Sequence, residues 1–331
     1  MDCCGDPHPF AYRRPDASTR LLPAQLSGRL GSTTIGAFGL SRECDVRISF
    51  CTPAGLLARY FTSFYLAEIE VPDGGRIVDH LHPEWGNLRF HSGGLPDAQN
   101  HAGMNVSGTR FPVTGPSSHA VRFCVGTTRV WGVGLMPLGW TRFVPAPAVD
   151  YADALCDGEQ DPVFAGFASL AETLFGPEPD PEGELARLTT WFEARLGPPL
   201  PEDARITELH AALVDPEVGT VAELVSRTGA SQSTVERLCR LAFGFSPKLL
   251  LLRQRFMRSL AHYMIDPSLK WIGAMDGHYH DQAQFVHDFH RFMGMSPSQY
   301  AATPHPILEA FVNARMQMTG YPVQTMDPPR Y

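Results

Sequence analysis

RLCRLAFGFSP (237–247) and HDFHRFMGMSP (287–297) align at a constant offset of 50 residues. Gly244 falls over Gly294, Ser246 over Ser296 and Pro247 over Pro297, with Val235 over Phe285 and Cys239 over Phe289. Each stretch ends in Gly-x-Ser-Pro, so a helix stops at Gly and the next starts with Ser as N-cap and Pro at its first position. Upstream, Thr220 caps VAELVSRTG with Glu223 three residues on, the spacing of a capping box. Gly229-Ala230 breaks that helix and Ser231 caps the next. In the second copy a helix over about 269–276 is broken by Asp276-Gly277-His278, and Asp281 opens DQAQFVHDFHRFMG. The repeated unit therefore reads as helix, tight turn, helix. That unit places its second helix in the major groove of DNA. KLLLLRQRFMRSLAHY, from Pro247 to about Met264, joins the copies as one rigid helix.

Around this repeat, the 331 residues suggest two domains at ~150 residues each. The 44% hydrophobic content can bury a core. No apolar run reaches the ~18 to 20 residues of a membrane span, and MDCCGDPHPFAYRRPD lacks the basic flank and apolar core of a secretory signal. These features read as a cytoplasmic chain without a membrane partner. Residues 1–18 read as a loose leader. The seven cysteines are scattered, without a C-x-x-C, and read as reduced thiols.

The net charge of −8 hides an asymmetry. Residues 1–204 carry the excess of acid, whereas 227–258 hold Arg227, Arg237, Arg240, Lys248, Arg253, Arg255 and Arg258 against Glu236 alone. That is a local basic patch of the kind that meets phosphates. Arg253, Arg255 and Arg258 sit on the connecting helix and read either as a solvated face or as phosphate contacts.

Before the helices the pattern has period two. Ala67, Ile69 and Val71 alternate with Glu68 and Glu70, and Val121, Phe123 and Val125 with Arg122 and Cys124, between Gly/Pro turns. This predicts an antiparallel β sandwich or barrel over 19–197, with trailing helices at 163–175 and 182–196. GPPLP (197–201) reads as a stiff linker, placed at 198–204, leaving an all-α domain at 205–303 and a tail at 304–331. The fold class is thus α+β in two domains.

GASQSTVERLCRLAFGFSPKLLLLRQRF (229–256) and HYHDQAQFVHDFHRFMGMSPSQY (278–300) resemble the AraC/XylS family of transcriptional regulators. The resemblance covers roughly 205–303, and residues 30–196 resemble the cupin-like sensor domain of a subgroup. It implies a sequence-specific DNA-binding regulator, effector-responsive through its N-terminal domain. The implied partners are duplex DNA at two adjacent turns of the major groove, a small-molecule effector, RNA polymerase for an activator, and a second copy of the chain. The family usually has Gly where this chain has His278, which leaves the geometry of the second turn open.

Helical phase separates core from reading face. Val235, Leu238, Cys239 and Ala242 form one buried stripe, leaving Gln232, Ser233, Glu236, Arg237 and Arg240 outward. Phe285, Phe289 and Phe292 are the second core, leaving Gln282, Ala283, Val286, His287 and His290 outward with Arg291 at the rim. Arg can bind guanine and Gln adenine with two hydrogen bonds each.

The competing reading is a cupin-type metal enzyme or metal sensor fused to a DNA-binding domain. His80-x-His82 echoes a metal-binding strand, but Glu84 is out of register. His119 falls in a second imperfect echo, so His80, His82 and His119 are the metal candidates and the expected cofactor is none. No G-x-S-x-G, H-E-x-x-H or P-loop occurs, so no enzyme is expected.

Overall fold

The structure, a computed structural model, describes residues 31–33 and 44–331. The leader, Cys3 and Cys4 lie outside the described residues, as does the start of the expected sensor domain.

The strand signal resolves into β1 (Gly31–Thr33), β2 (Asp45–Cys51), β3 (Phe61–Glu70), β4 (Ile77–Leu81), β5 (Asn87–Gly93) and β6 (Asp97–Gln99). β7 (Asn105–Ser107), β8 (Pro112–Thr114), β9 (Val121–Val125), β10 (Thr128–Leu135) and β11 (Leu155–Asp157) complete it. One sheet runs β1-β2-β3-β10-β5-β8-β11 and the other β4-β9-β6-β7, with antiparallel pairing throughout. In the second half of β3, Ala67 and Ile69 are buried and Glu70 is exposed, as alternation requires. Its first half is buried on both faces, because Phe61 and Phe64 meet Phe192 on the far side of the sheet.

That covering comes from the trailing helices α1 (Pro137–Phe143), α2 (Ala168–Thr173) and α3 (Pro181–Glu193). The stretch from 163 begins as a 3-10 turn, Pro162–Phe167, because Asp161 caps it and Pro162 opens it. α4 (Asp203–Val214) follows the Pro-rich segment. That segment is held in place: Arg142 donates to the Pro198 carbonyl at 2.8 Å and Asp203 accepts from the Leu200 amide at 3.0 Å.

The repeated units are α5 (Val221–Thr228) with α6 (Gln232–Leu238), and α8 (Lys270–Ala274) with α9 (Gln282–Met293). α7 (Pro247–Ile265) joins them, and α10 (Pro297–Ala302) and α11 (Pro306–Thr319) follow the second unit. α6 widens into a π-helical turn, Cys239–Phe243, before Gly244. Every cap read from the sequence is made. Thr220 and Glu223 form a reciprocal box, and Ser231, Ser246, Asp281 and Ser296 each accept an amide from the first turn. Gly229, Gly244 and Gly294 are left-handed with φ of 61°, 84° and 70°, which spares a Cβ clash at each helix end.

His278 departs from that plan without strain. No residue between 276 and 281 has a positive φ. The turn is instead tied by Asp276, whose carboxylate accepts from the His278 amide and meets its ring Nδ1, both at 2.9 Å.

Packing crosses the expected domain boundary. One apolar cluster runs from Phe64 and Trp131 of the sheet through Phe192 to Leu209, Leu224, Val235 and Leu250. A second gathers Phe256, Phe285, Phe289 and Phe292. A third lays Ile307, Ala310 and Ala314 of α11 against β2 and β3, so the segment expected as a tail is a helix on the sheet.

Candidate functional site: the paired helices and the barrel cavity

The ten residues expected on the reading faces are all exposed: Gln232, Ser233, Glu236, Arg237, Arg240, Gln282, Ala283, His287, His290 and Arg291. Val286 is half-buried and packs on the second core. Beneath them Val235, Leu238, Cys239, Phe285, Phe289 and Phe292 are buried. On α6 the face is knit together, with Gln232 donating to Glu236 at 3.0 Å. Arg237 reaches the Glu202 carboxylate at 2.8 Å. Sequence reasoning missed Glu202, because 35 residues separate it from Arg237.

Both outward helices lean on the strand domain at their C-terminal ends. The Ala120 amide donates to the Phe292 carbonyl at 2.7 Å. A Cβ at Gly244 would lie 3.1 Å from the Ala148 carbonyl oxygen and 3.3 Å from Pro116. The loop that carries Pro116 and Ala120 therefore touches the ends of both α6 and α9 and leaves their N-terminal halves in solvent.

The connecting helix corrects the sequence reading. Arg253, Arg255 and Arg258 are neither solvated nor available to phosphate: all three are buried, Arg253 to 0% exposure. Arg253 stacks 4.1 Å from the Trp85 ring centroid and donates to the Ser117 carbonyl at 2.8 Å. Arg255 pairs with Asp288 at 2.6 Å and lies 4.1 Å over Tyr279. Arg258 pairs with Asp276. Of the basic patch, Arg227 and Arg237 are also engaged, by Asp215 and Glu202. Among the described residues only Arg240 and Lys248 of that patch form no ion pair and are exposed.

Helical phase alone argues against a single shared face but does not show the burial. At ~100° per residue, positions 255 and 258 lie on one face of α7 and position 253 on the other side, so the three cannot share one solvated stripe.

The two sheets enclose a cavity of about 160 Å³. Ile69, Val121, Phe123, Val125 and Val130 give it an apolar wall, and Ile307, Phe311 and Arg315 of α11 close it. Its two guanidiniums are already matched. Arg89 meets Glu84 at 2.6 Å and donates to Tyr65 Oη at 3.1 Å, and Arg315 pairs with Asp327. Burial pushes the Tyr65 hydroxyl pKa up, against the pull of Arg89.

The metal candidates from sequence separate. His82 turns to Tyr300, its Nε2 2.9 Å from the hydroxyl. His80 lies with Asp79 and His305, and His119 with His101 and Asp153.

A family model described as a helix-turn-helix domain matches residues 224–303. No curated protein matches the chain. Among solved structures, ToxT from Vibrio cholerae is similar at a TM-score of 0.37 and 10% identity, over 68% of this chain and 97% of that one. ToxT from Vibrio cholerae with bound unsaturated fatty acid gives 0.34 and 9%, over 68% and 94%. The AraC-like transcriptional activator CuxR gives 0.28 and 10%, over 66% and 87%. Residues 224–303 are a helix-turn-helix domain. Among the described residues no helix is long and apolar enough to cross a membrane.

Proposed function

We propose that the chain reads two adjacent major-groove turns of an asymmetric operator through α6 and α9, and that a small apolar molecule in the barrel cavity modulates it. The observation that carries the DNA reading is the pair of exposed polar faces on α6 and α9, whose units are joined by one rigid helix. α7 has 19 residues, or ~28 Å at 1.5 Å each. With the flanking turns this approaches the ~34–36 Å between grooves on one face of DNA. The faces differ, Gln232/Arg237/Arg240 against Gln282/His287/His290, so the two boxes differ too. Arg240 can take guanine bidentately, and Arg237 can do so once it leaves Glu202.

The test uses the full chain and its footprinted operator. Inserting five base pairs between the boxes puts the second on the opposite face of the duplex and is expected to reduce affinity to that of a single box. Arg240→Ala is expected to weaken binding by ~1 to 3 kcal/mol with the fold intact. Undiminished binding after the insertion would leave only one unit docked and end the paired-groove reading.

For the effector the supporting observation is the cavity beneath α11. A cavity near ~150 Å³ holds a benzene-sized group. Because Glu84 and Asp327 already neutralise Arg89 and Arg315, a neutral molecule with an apolar body suits it better than a free anion. A ligand at 100 times its Kd is expected to add ~2.7 kcal/mol in a thermal-shift screen. A library of small neutral aromatics that shifts nothing would count against it.

A further inference from the structure

We propose that His80 and His305, with Asp79 orienting His305 from its other ring nitrogen, hold a divalent transition metal that fastens the C-terminal segment to the barrel. The proposal stands apart from the DNA reading and would survive its failure.

One donor atom from each of the three residues lies within 4.8 Å of the other two. Asp79 and His80 are neighbours on β4, while His305 arrives from 226 residues beyond Asp79, between α10 and α11. Asp79 is fully buried and both of its carboxylate oxygens are engaged. Oδ1 accepts from the His80 amide at 2.8 Å and meets His305 Nδ1 at 2.9 Å. Oδ2 accepts from the Ile307 and Leu308 amides at 3.0 and 2.9 Å, capping α11 from outside the helix.

This arrangement sets the chemistry of His305. A ring nitrogen facing a carboxylate carries the proton, so Nδ1–H donates to Asp79 and Nε2 keeps its lone pair. Metal-bound imidazoles are held in this way by a carboxylate on the opposite nitrogen. His305 is 5% exposed, and its Nε2 is buried without a hydrogen-bond partner. His80 Nδ1 is likewise buried and unpartnered. Leaving such an atom unsatisfied carries a real desolvation penalty. Two of them beside one fixed carboxylate are accounted for together if both are ligands. A pair of imidazole nitrogens suits Zn²⁺, Ni²⁺ or Cu²⁺ and not Mg²⁺ or Ca²⁺.

The other His/Asp group lacks these features. His101 and His119 are stacked with centroids 3.6 Å apart, His101 is exposed, and His119 Nδ1 already meets Ser118 Oγ at 2.9 Å.

A metal held here would lock the start of α11, which closes the barrel cavity and follows α10 after three residues.

The experiment is calorimetric titration of chelator-treated full-length protein with ZnSO4, NiCl2 and MgCl2, with Tm followed in parallel. One equivalent of Zn²⁺ or Ni²⁺ is expected, with a rise in Tm, and no Mg²⁺. His80→Gln and His305→Gln should each weaken that equivalent at least about ten-fold. Joint replacement of His101 and His119 by Ala should leave it unchanged. If His305→Gln does not fold, His80→Gln decides alone, because its half-buried side chain takes no part in capping α11. Absence of a stoichiometric equivalent overturns the proposal. So does an equivalent that persists in His80→Gln or disappears with His101 and His119.

Discussion

Lowering the pH from 7.5 to 5.5 is expected to remove roughly 3 kcal/mol of stability through two buried histidines, about half of it from each. Burial holds His91 and His210 neutral in the fold, with pKa pushed down to about 3. For His91 the Arg89 guanidinium adds to the effect of burial. For His210 burial is again the largest cause, a backbone hydrogen bond at Asp327 opposes it, and Arg253 acts with it. In the unfolded chain each returns to ~6.5. Below that value the unfolded state takes up protons that the native state refuses. Stability from these two groups is therefore whole above pH ~6.5 and falls continuously toward pH ~3. A loss of this size is a large share of the ~5–15 kcal/mol typical of folded proteins. Calorimetric Tm values between neutral and mildly acidic pH check it. His210 packs edge-on to Trp85 and Phe243, with its Nε2 buried and unpartnered, so His210→Phe should remove about half of this loss. A flat Tm across that range would mean that these rings protonate in place.

The second large effect is expected at the connecting helix. Arg258→Ala leaves Asp276 buried without its cation, and Arg255→Ala does the same to Asp288. Removing one partner of a buried pair costs ~3–5 kcal/mol. Each variant should therefore unfold the second helix-turn-helix unit at lower denaturant than wild type. Replacing both partners, Arg255→Met with Asp288→Leu, should cost much less, since no orphan charge remains. A phosphate contact at Arg255 would instead leave stability unchanged and lower the salt slope of DNA binding by about one. Denaturant midpoints and binding measured across a salt series separate the two outcomes.

These arginines also show where the sequence stopped being informative. The repeat at an offset of 50, its caps and its left-handed glycines are local signals, each decided within a few residues of itself, and the structure has them in place. Helical phase likewise separated Phe289 from His290 and Cys239 from Arg240, because a helix next to one core has one buried stripe. In the first half of β3 alternation is lost for the opposite reason, since α3 covers the second face of the sheet there.

What lay beyond the sequence required knowing which distant surfaces meet. α7 is packed by α4 and α5, by α8 and α9, and by the strand-domain loop that receives Arg253, so these three charges had no solvent side to occupy. Asp79 finds its partners at His305, Ile307 and Leu308, and Arg237 finds Glu202, across separations that no periodicity encodes. The cavity is closed by α11, whose own sequence says only that it has an apolar face. The repeated unit, its caps and its outward faces were legible from the residues alone, because backbone hydrogen bonding and side-chain period are local. Which charges are buried, what pairs them and what closes the barrel emerged only from the packed chain, because desolvation and pairing depend on every element around a residue.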